Sequence, residues 1–159
     1  AGAAERAMMQ PLVPVDKLAE ARALTSPLPR STEIVEQGKA LYNGKGACFN
    51  CHGKDGVGKG PLATQLDPSP RNFQHPGFWR HRNEREIFWV ITNGSVGTSM
   101  VEFGGQLTDE ETWSILQYER SFADEYGQGM VGHGEDMGGL EQGRPRDGMG
   151  ACEGEACGR

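Results

Sequence analysis

The chain has 159 residues, 24 of them glycine, and a formal net charge of −6 from 16 Lys and Arg against 22 Asp and Glu. So little apolar content with so much glycine allows one modest core with long arms rather than several packed domains. The negative balance argues against nucleic acid as a partner and favours docking that responds to salt; no apolar run approaches a bilayer-spanning length.

Residues 1–32 form an arm interrupted by Pro11, Pro14, Pro27 and Pro29. Between the prolines, Asp16-Lys17-Leu18-Ala19-Glu20-Ala21-Arg22-Ala23-Leu24 reads as one short helix, with Asp16 as N-cap and Leu18, Ala21 and Leu24 on one face. An arm of this kind is expected to pack across the domain rather than fold alone.

Residues 33–123 carry most of the folding information. A helix begins after Ser31-Thr32, with Glu33 and Glu36 in its first turn and Ile34, Val35, Gly38, Leu41 and Tyr42 on its apolar face. It delivers the chain to Cys48-Phe49-Asn50-Cys51-His52, the attachment signature of c-type haem. Two thiols at this spacing add across the haem vinyl groups, and the imidazole directly after the second binds iron. A zinc site would want a second ligand pair, and Cys152 and Cys157, far away in a glycine tract, make a poor one. A thioredoxin-like site would want a βαβ setting that is absent from the pattern; a structural disulfide is the remaining reading. Covalent haem attachment takes place outside the bacterial cytoplasm, so a periplasmic location and a removed export signal are expected. The start at Ala1-Gly2-Ala3-Ala4 suits a mature chain or a trimmed one.

After the motif, Gly53, Gly56, Gly58, Gly60, Pro61, Pro68 and Pro70 predict turns. A second helix is predicted over 83–93, with Asn83 and Glu86 as a capping box, a core face of Ile87, Phe88, Val90 and Ile91, and Gly94 as its stop. A glycine-rich loop carrying Met100 follows. A third helix starts at the capping box Thr108-x-x-Glu111 and uses Trp113, Ile115, Leu116, Tyr118 and Phe122. No alternating pattern long enough for a sheet appears, so the domain is expected to be all-α. Residues 124–159 form a glycine-rich tail whose composition cannot bury enough surface to fold by itself.

From about residue 34 to 123 the chain resembles a class I monohaem c-type cytochrome, a bacterial cytochrome c domain. The resemblance is carried by Gly38 and Tyr42 on the first helix, by CFNCH, by the Gly-Pro of the following loop, by the late Met100 and by Trp113 and Tyr118 on the last helix. It implies a cytochrome c fold of about three to five helices around one covalent haem c, with long irregular extensions at both ends. It also implies that Cys48 and Cys51 form the thioethers, that His52 is the proximal ligand, and that Gly38 lets the first helix approach Ile115 and Tyr118 closely. The carbonyl of Pro61, nine residues after His52, would accept the ring N–H of that histidine. Class I cytochromes place their axial methionine where Met100 lies. His75, His81, Met130, His133, Met137 and Met149 compete for that role, as do Met8 and Met9 in the arm.

A haem with two strong axial ligands transfers electrons and leaves no site for substrate. The expected function is therefore one-electron transfer and not enzymatic turnover, by a soluble periplasmic shuttle or by the haem subunit of a respiratory complex with redox proteins as partners. The alternative is a small-ligand sensor or peroxidase-like enzyme with an open sixth position. Arg71, Asn72 and Trp79 are candidate donors to the haem propionates, as is Arg80. Arg80, Arg82 and Arg85 also read as a solvated face pairing with Glu84 and Glu86. Phe73, Phe78 and Phe88 are expected to wall the pocket, and Lys39, Lys45, Lys54 and Lys59 either rim a docking face or simply meet solvent. In the tail, Cys152 and Cys157 are expected to pair as a disulfide. A Cu(I) site with the tail methionines and His133, or a strand that docks a partner, are the alternatives.

Overall fold

The structure is a computed structural model, and residues 13–131 are described. Among these residues there are six α-helices, two 3-10 turns and no strand: α1 (Leu18–Ala23), α2 (Thr32–Asn43), α3 (Phe49–His52), α4 (Pro76–His81), α5 (Glu84–Asn93) and α6 (Asp109–Val131). The fold class is all-α, and the three principal helices are those that the apolar periodicity marks. The short arm helix α1 is also where the sequence places one, whereas α3 and α4, of four and six residues, are too short for periodicity to register. None of the helices is long and apolar enough to cross a membrane.

The two longest helices start on side-chain caps. Ser31 Oγ accepts from the Ile34 amide at the head of α2. At α6 the capping box is reciprocal, Thr108 Oγ1 accepting from Glu111 N at 3.2 Å and Glu111 Oε2 from Thr108 N at 2.9 Å. Thr108→Ala should therefore lower stability by about 1 kcal/mol, read as a shifted denaturant midpoint, while Thr108→Ser should leave the midpoint in place. Asn83 caps α5 by accepting from Arg85 N, but Glu86 does not complete a box. It is buried and ion-paired at 2.7 Å with Arg22 of the arm. Asp16 is likewise not a cap, since it lies inside the 3-10 turn Val15–Lys17 that precedes α1.

The arm is tied to the domain by side chains that local sequence cannot pair. Arg30 bridges to Glu84, Arg85 donates to the Arg22 carbonyl, and Gln117 donates to the Pro29 carbonyl. Ala21 packs with Val13 and Val90 in a small cluster of its own. Arg85, Glu84 and Glu86 thus all contact the arm. Arg82 leaves the surface altogether, at 7 % exposure over the Phe78 ring.

The core is built on the crossing of α2 and α6, the most extensive helix pairing. Tyr42, Tyr118 and Phe122 meet edge-on there, and Phe88 stacks on Trp113. Helix α6 runs on to Val131, beyond the domain boundary expected near 123. A helix already nucleated and packed continues through an occasional glycine at about 1 kcal/mol each. Met130 lies on this last stretch. Met8, Met9, His133, Met137, Met149, Cys152 and Cys157 lie outside the described residues, and with them the readings of the tail as disulfide, copper site or docking strand.

Candidate functional site

Helix α2 ends in a sharp corner that aims the cysteine motif. Gly46 N and Cys48 N bond back to the Leu41 and Tyr42 carbonyls, and Ala47 between them takes φ 47°. A non-glycine residue in the left-handed region is strained, and here the strain turns the chain directly into the single turn α3. Tyr42 OH donates to the Gly53 carbonyl at 2.7 Å and closes the far side of that turn. The following loop folds back on it through Gly58 N to His52 O, Gly60 N to Cys51 O and Leu62 N to Asn50 O. A Cβ at Gly60 would overlap the carbonyls of Phe49 and Asn50, so this close return needs glycine.

The motif opens on a mostly apolar cleft, the kind of concave site in which cofactors bind. Cys48, Cys51, His52, Arg71 and Met100 all line it. Both thiols are unbonded to each other. Burial pushes the Cys48 thiol up and holds the His52 imidazole below its ordinary range, so at neutral pH the ring is uncharged and its lone pair is free for a metal.

His52 Nδ1 lies 3.2 Å from the Arg71 carbonyl, and its ring stacks on Phe73 at 4.5 Å. The expectation that Pro61 supplies this carbonyl is corrected. The glycine-rich return places Pro61 on the exposed side, and the chain passes the imidazole ten residues later, at Arg71. Of two further propionate candidates, Trp79 has its single side-chain donor engaged elsewhere. Trp79 Nε1 donates to the Phe73 carbonyl at 2.6 Å, and Asn72 Oδ1 accepts from Gln74 N in a local turn. Neither lines the cleft. Lys45 of the expected basic rim bridges to Glu111.

Met100 is held by its loop. Its amide donates to Thr98 Oγ1 and its carbonyl accepts from Ser95 N, while the side chain packs against both core clusters. His75 uses Nδ1 to cap α4 and lines neither the cleft nor its inner extension, and the same is true of the exposed His81.

Two buried polar atoms in the cleft wall have no hydrogen-bond partner: Ser95 Oγ and Glu119 Oε2. Orphans of this kind are costly in a closed core, and they fit a wall shaped around a group that carries its own polar atoms. Glu119 was not foreseen. Its signal is present in the sequence, because it stands four residues after Ile115 and three before Phe122 on the apolar stripe of α6, where a carboxylate contradicts the pattern. Arg82 also lines the inner part of the cleft, with Arg71 and Met100.

The family model described as "Cytochrome C oxidase, cbb3-type, subunit III" matches residues 33–118. No curated protein matches significantly. Among solved structures, a chain of the Kuenenia stuttgartiensis reducing HAO-like protein complex Kustc0457/Kustc0458 is similar at a TM-score of 0.55 and 28 % identity. The alignment covers 62 % of this chain and 49 % of that one, so the chain spans about half the length of its structural relative.

Proposed function

Since the chain belongs to the family of cbb3-type cytochrome c oxidase subunit III, a family of c-type cytochrome domains that bind haem c, we propose that it is a monohaem one-electron carrier with Cys48 and Cys51 as thioether anchors and His52 and Met100 as axial ligands. The observation that carries this reading is the convergence of those four side chains on one cleft. Bound haem c supplies a one-electron iron couple. The protein's own residues do the rest: the α2 corner presents the thiols, the Arg71 carbonyl orients the imidazole and raises its basicity, and the Ser95–Met100 loop holds a thioether that favours ferrous iron.

The structural neighbour belongs to a reducing HAO-like protein complex, which supports a role as a haem subunit within a larger assembly; a free periplasmic shuttle is the other form the carrier can take. Absorption spectroscopy of the purified full chain tests the ligand set. Covalently retained haem with a low-spin spectrum and the weak long-wavelength band of methionine-ligated ferric iron is expected; a high-spin spectrum that shifts on adding carbon monoxide would overturn the carrier in favour of a ligand-binding protein. Co-purification from the native host separates shuttle from subunit.

A further inference from the structure

Glu119 is an acid where the cleft has least use for one. It is 3 % exposed on α6, its Oε2 has no partner, and it lines both the main cleft and the inner extension shared by His52, Arg71 and Met100. We propose that Glu119 is a proton-binding site beside the haem, so that an electron accepted by this protein is accompanied by a proton taken up on the Glu119 carboxyl. The inference rests on the electron-carrier reading. It follows from electrostatics at short range in a poorly screened cavity: a negative charge added to the cleft makes a nearby carboxylate a stronger base, and by linkage the proton makes the site a stronger electron acceptor.

Burial raises the Glu119 carboxyl to about 8, which places its titration in the neutral to mildly alkaline range. The other titratable and charged groups around it do not compete there. Burial pushes Tyr42 on α2 and Cys48 upward, out of that range, and the latter, like Cys51, is consumed as a thioether when haem is attached. His52 is held neutral by burial. Arg71 and Arg82 are lowered by burial, the latter to about 10, and remain cations. Glu86 faces two cations, ion-paired with Arg22 and acting on Arg82. The charge of Glu119 is felt by Cys48 and Tyr42, whereas the shift of His52 arises from burial and the Arg71 carbonyl.

The step balances as one electron from a redox-protein donor reducing ferric to ferrous iron and one proton from water bound at Glu119 Oε2, turning carboxylate into carboxylic acid; oxidation reverses both. The test is the midpoint potential of the haem-loaded full chain, titrated from acid to alkaline pH for the native protein and for Glu119→Gln. A reversible one-electron wave is expected whose midpoint falls as pH rises through the transition. The limiting slope is a tenfold change in equilibrium constant per pH unit, or about 59 mV for one electron. Glu119→Gln should be flat over that window. As a second readout that needs no variant, reduced-minus-oxidised infrared spectra of the native protein should show a protonated carboxyl band appearing on reduction. A one-electron wave with no slope and no carboxyl band, or a slope that survives in Glu119→Gln, would overturn the proton site and leave the carrier intact. A high-spin, ligand-binding haem would overturn the carrier reading itself, and with it this inference.

Discussion

Gly38→Ala is expected to destabilise the domain by about 2 kcal/mol, and to do so although alanine is the better helix former. A Cβ at position 38 would overlap the Ser114 carbonyl and come within 2.9 Å of Tyr118 Cβ. The obstacle is backbone on the facing helix, so no rotamer change relieves it, and α2 and α6 must separate. Overpacking of this kind costs about 1–3 kcal/mol, and separation also exposes part of Tyr42 and Ile115, each fully buried and each contributing about 1.5–3 kcal/mol by burial. The gain in helix propensity returns about 1 kcal/mol. Against a total of about 5–15 kcal/mol for a domain, the loss should appear as a lower denaturant midpoint with an unchanged slope. Gly105→Ala is the control, because nothing lies within 4 Å of its Cβ. Equal midpoints for the two variants would show that the crossing has slack which these distances deny. Because Cys48 N and Gly46 N hang from the end of α2, the same substitution should also reduce the fraction of chain that retains haem.

The parts of this molecule that were legible in the sequence are those decided within a few residues. Thr108 and Glu111 close their box on each other, and Ser31 caps α2 with no help from outside. The same spacing at Asn83 and Glu86 fails, because a cation some sixty residues earlier, Arg22, reaches Glu86 first and removes it from solvent. The partner of His52 was misplaced for a related reason. The resemblance to class I cytochromes points to Pro61, but the loop returns onto α3 through backbone bonds from Gly58 and Gly60, and it is the later Arg71 carbonyl that meets the ring. Arg82 and Glu119 share one lesson. A charged residue on a buried face is a departure from pattern, and the departures gather at the cleft, where function rather than packing sets the residue type.

Met100→Ala is expected to leave haem attached and to change everything that depends on the sixth ligand. The anchors at Cys48 and Cys51 are untouched, and the loop persists because its bonds to Ser95 and Thr98 use the Met100 backbone. Without the thioether, ferric iron should become high-spin and bind added imidazole, the reduced protein should bind carbon monoxide, and the potential should fall by about 0.1–0.3 V, a fraction of the ~0.8 V that axial ligation spans. The truncation also removes a partly buried side chain from two clusters, at a cost near the lower end of the 2–5 kcal/mol typical of buried Met→Ala, roughly 2 kcal/mol. Met100→Leu separates the two effects: it keeps the packing volume and removes the sulfur donor, so it should restore the denaturant midpoint while staying high-spin. Met100→His should return the spectrum to low-spin at a lower potential than the native protein, because imidazole stabilises ferrous iron less than a thioether does. A native spectrum in both Met100→Ala and Met100→Leu would remove Met100 as the ligand. The donor would then have to come from elsewhere in the chain, since among the described histidines only His52 reaches this cleft.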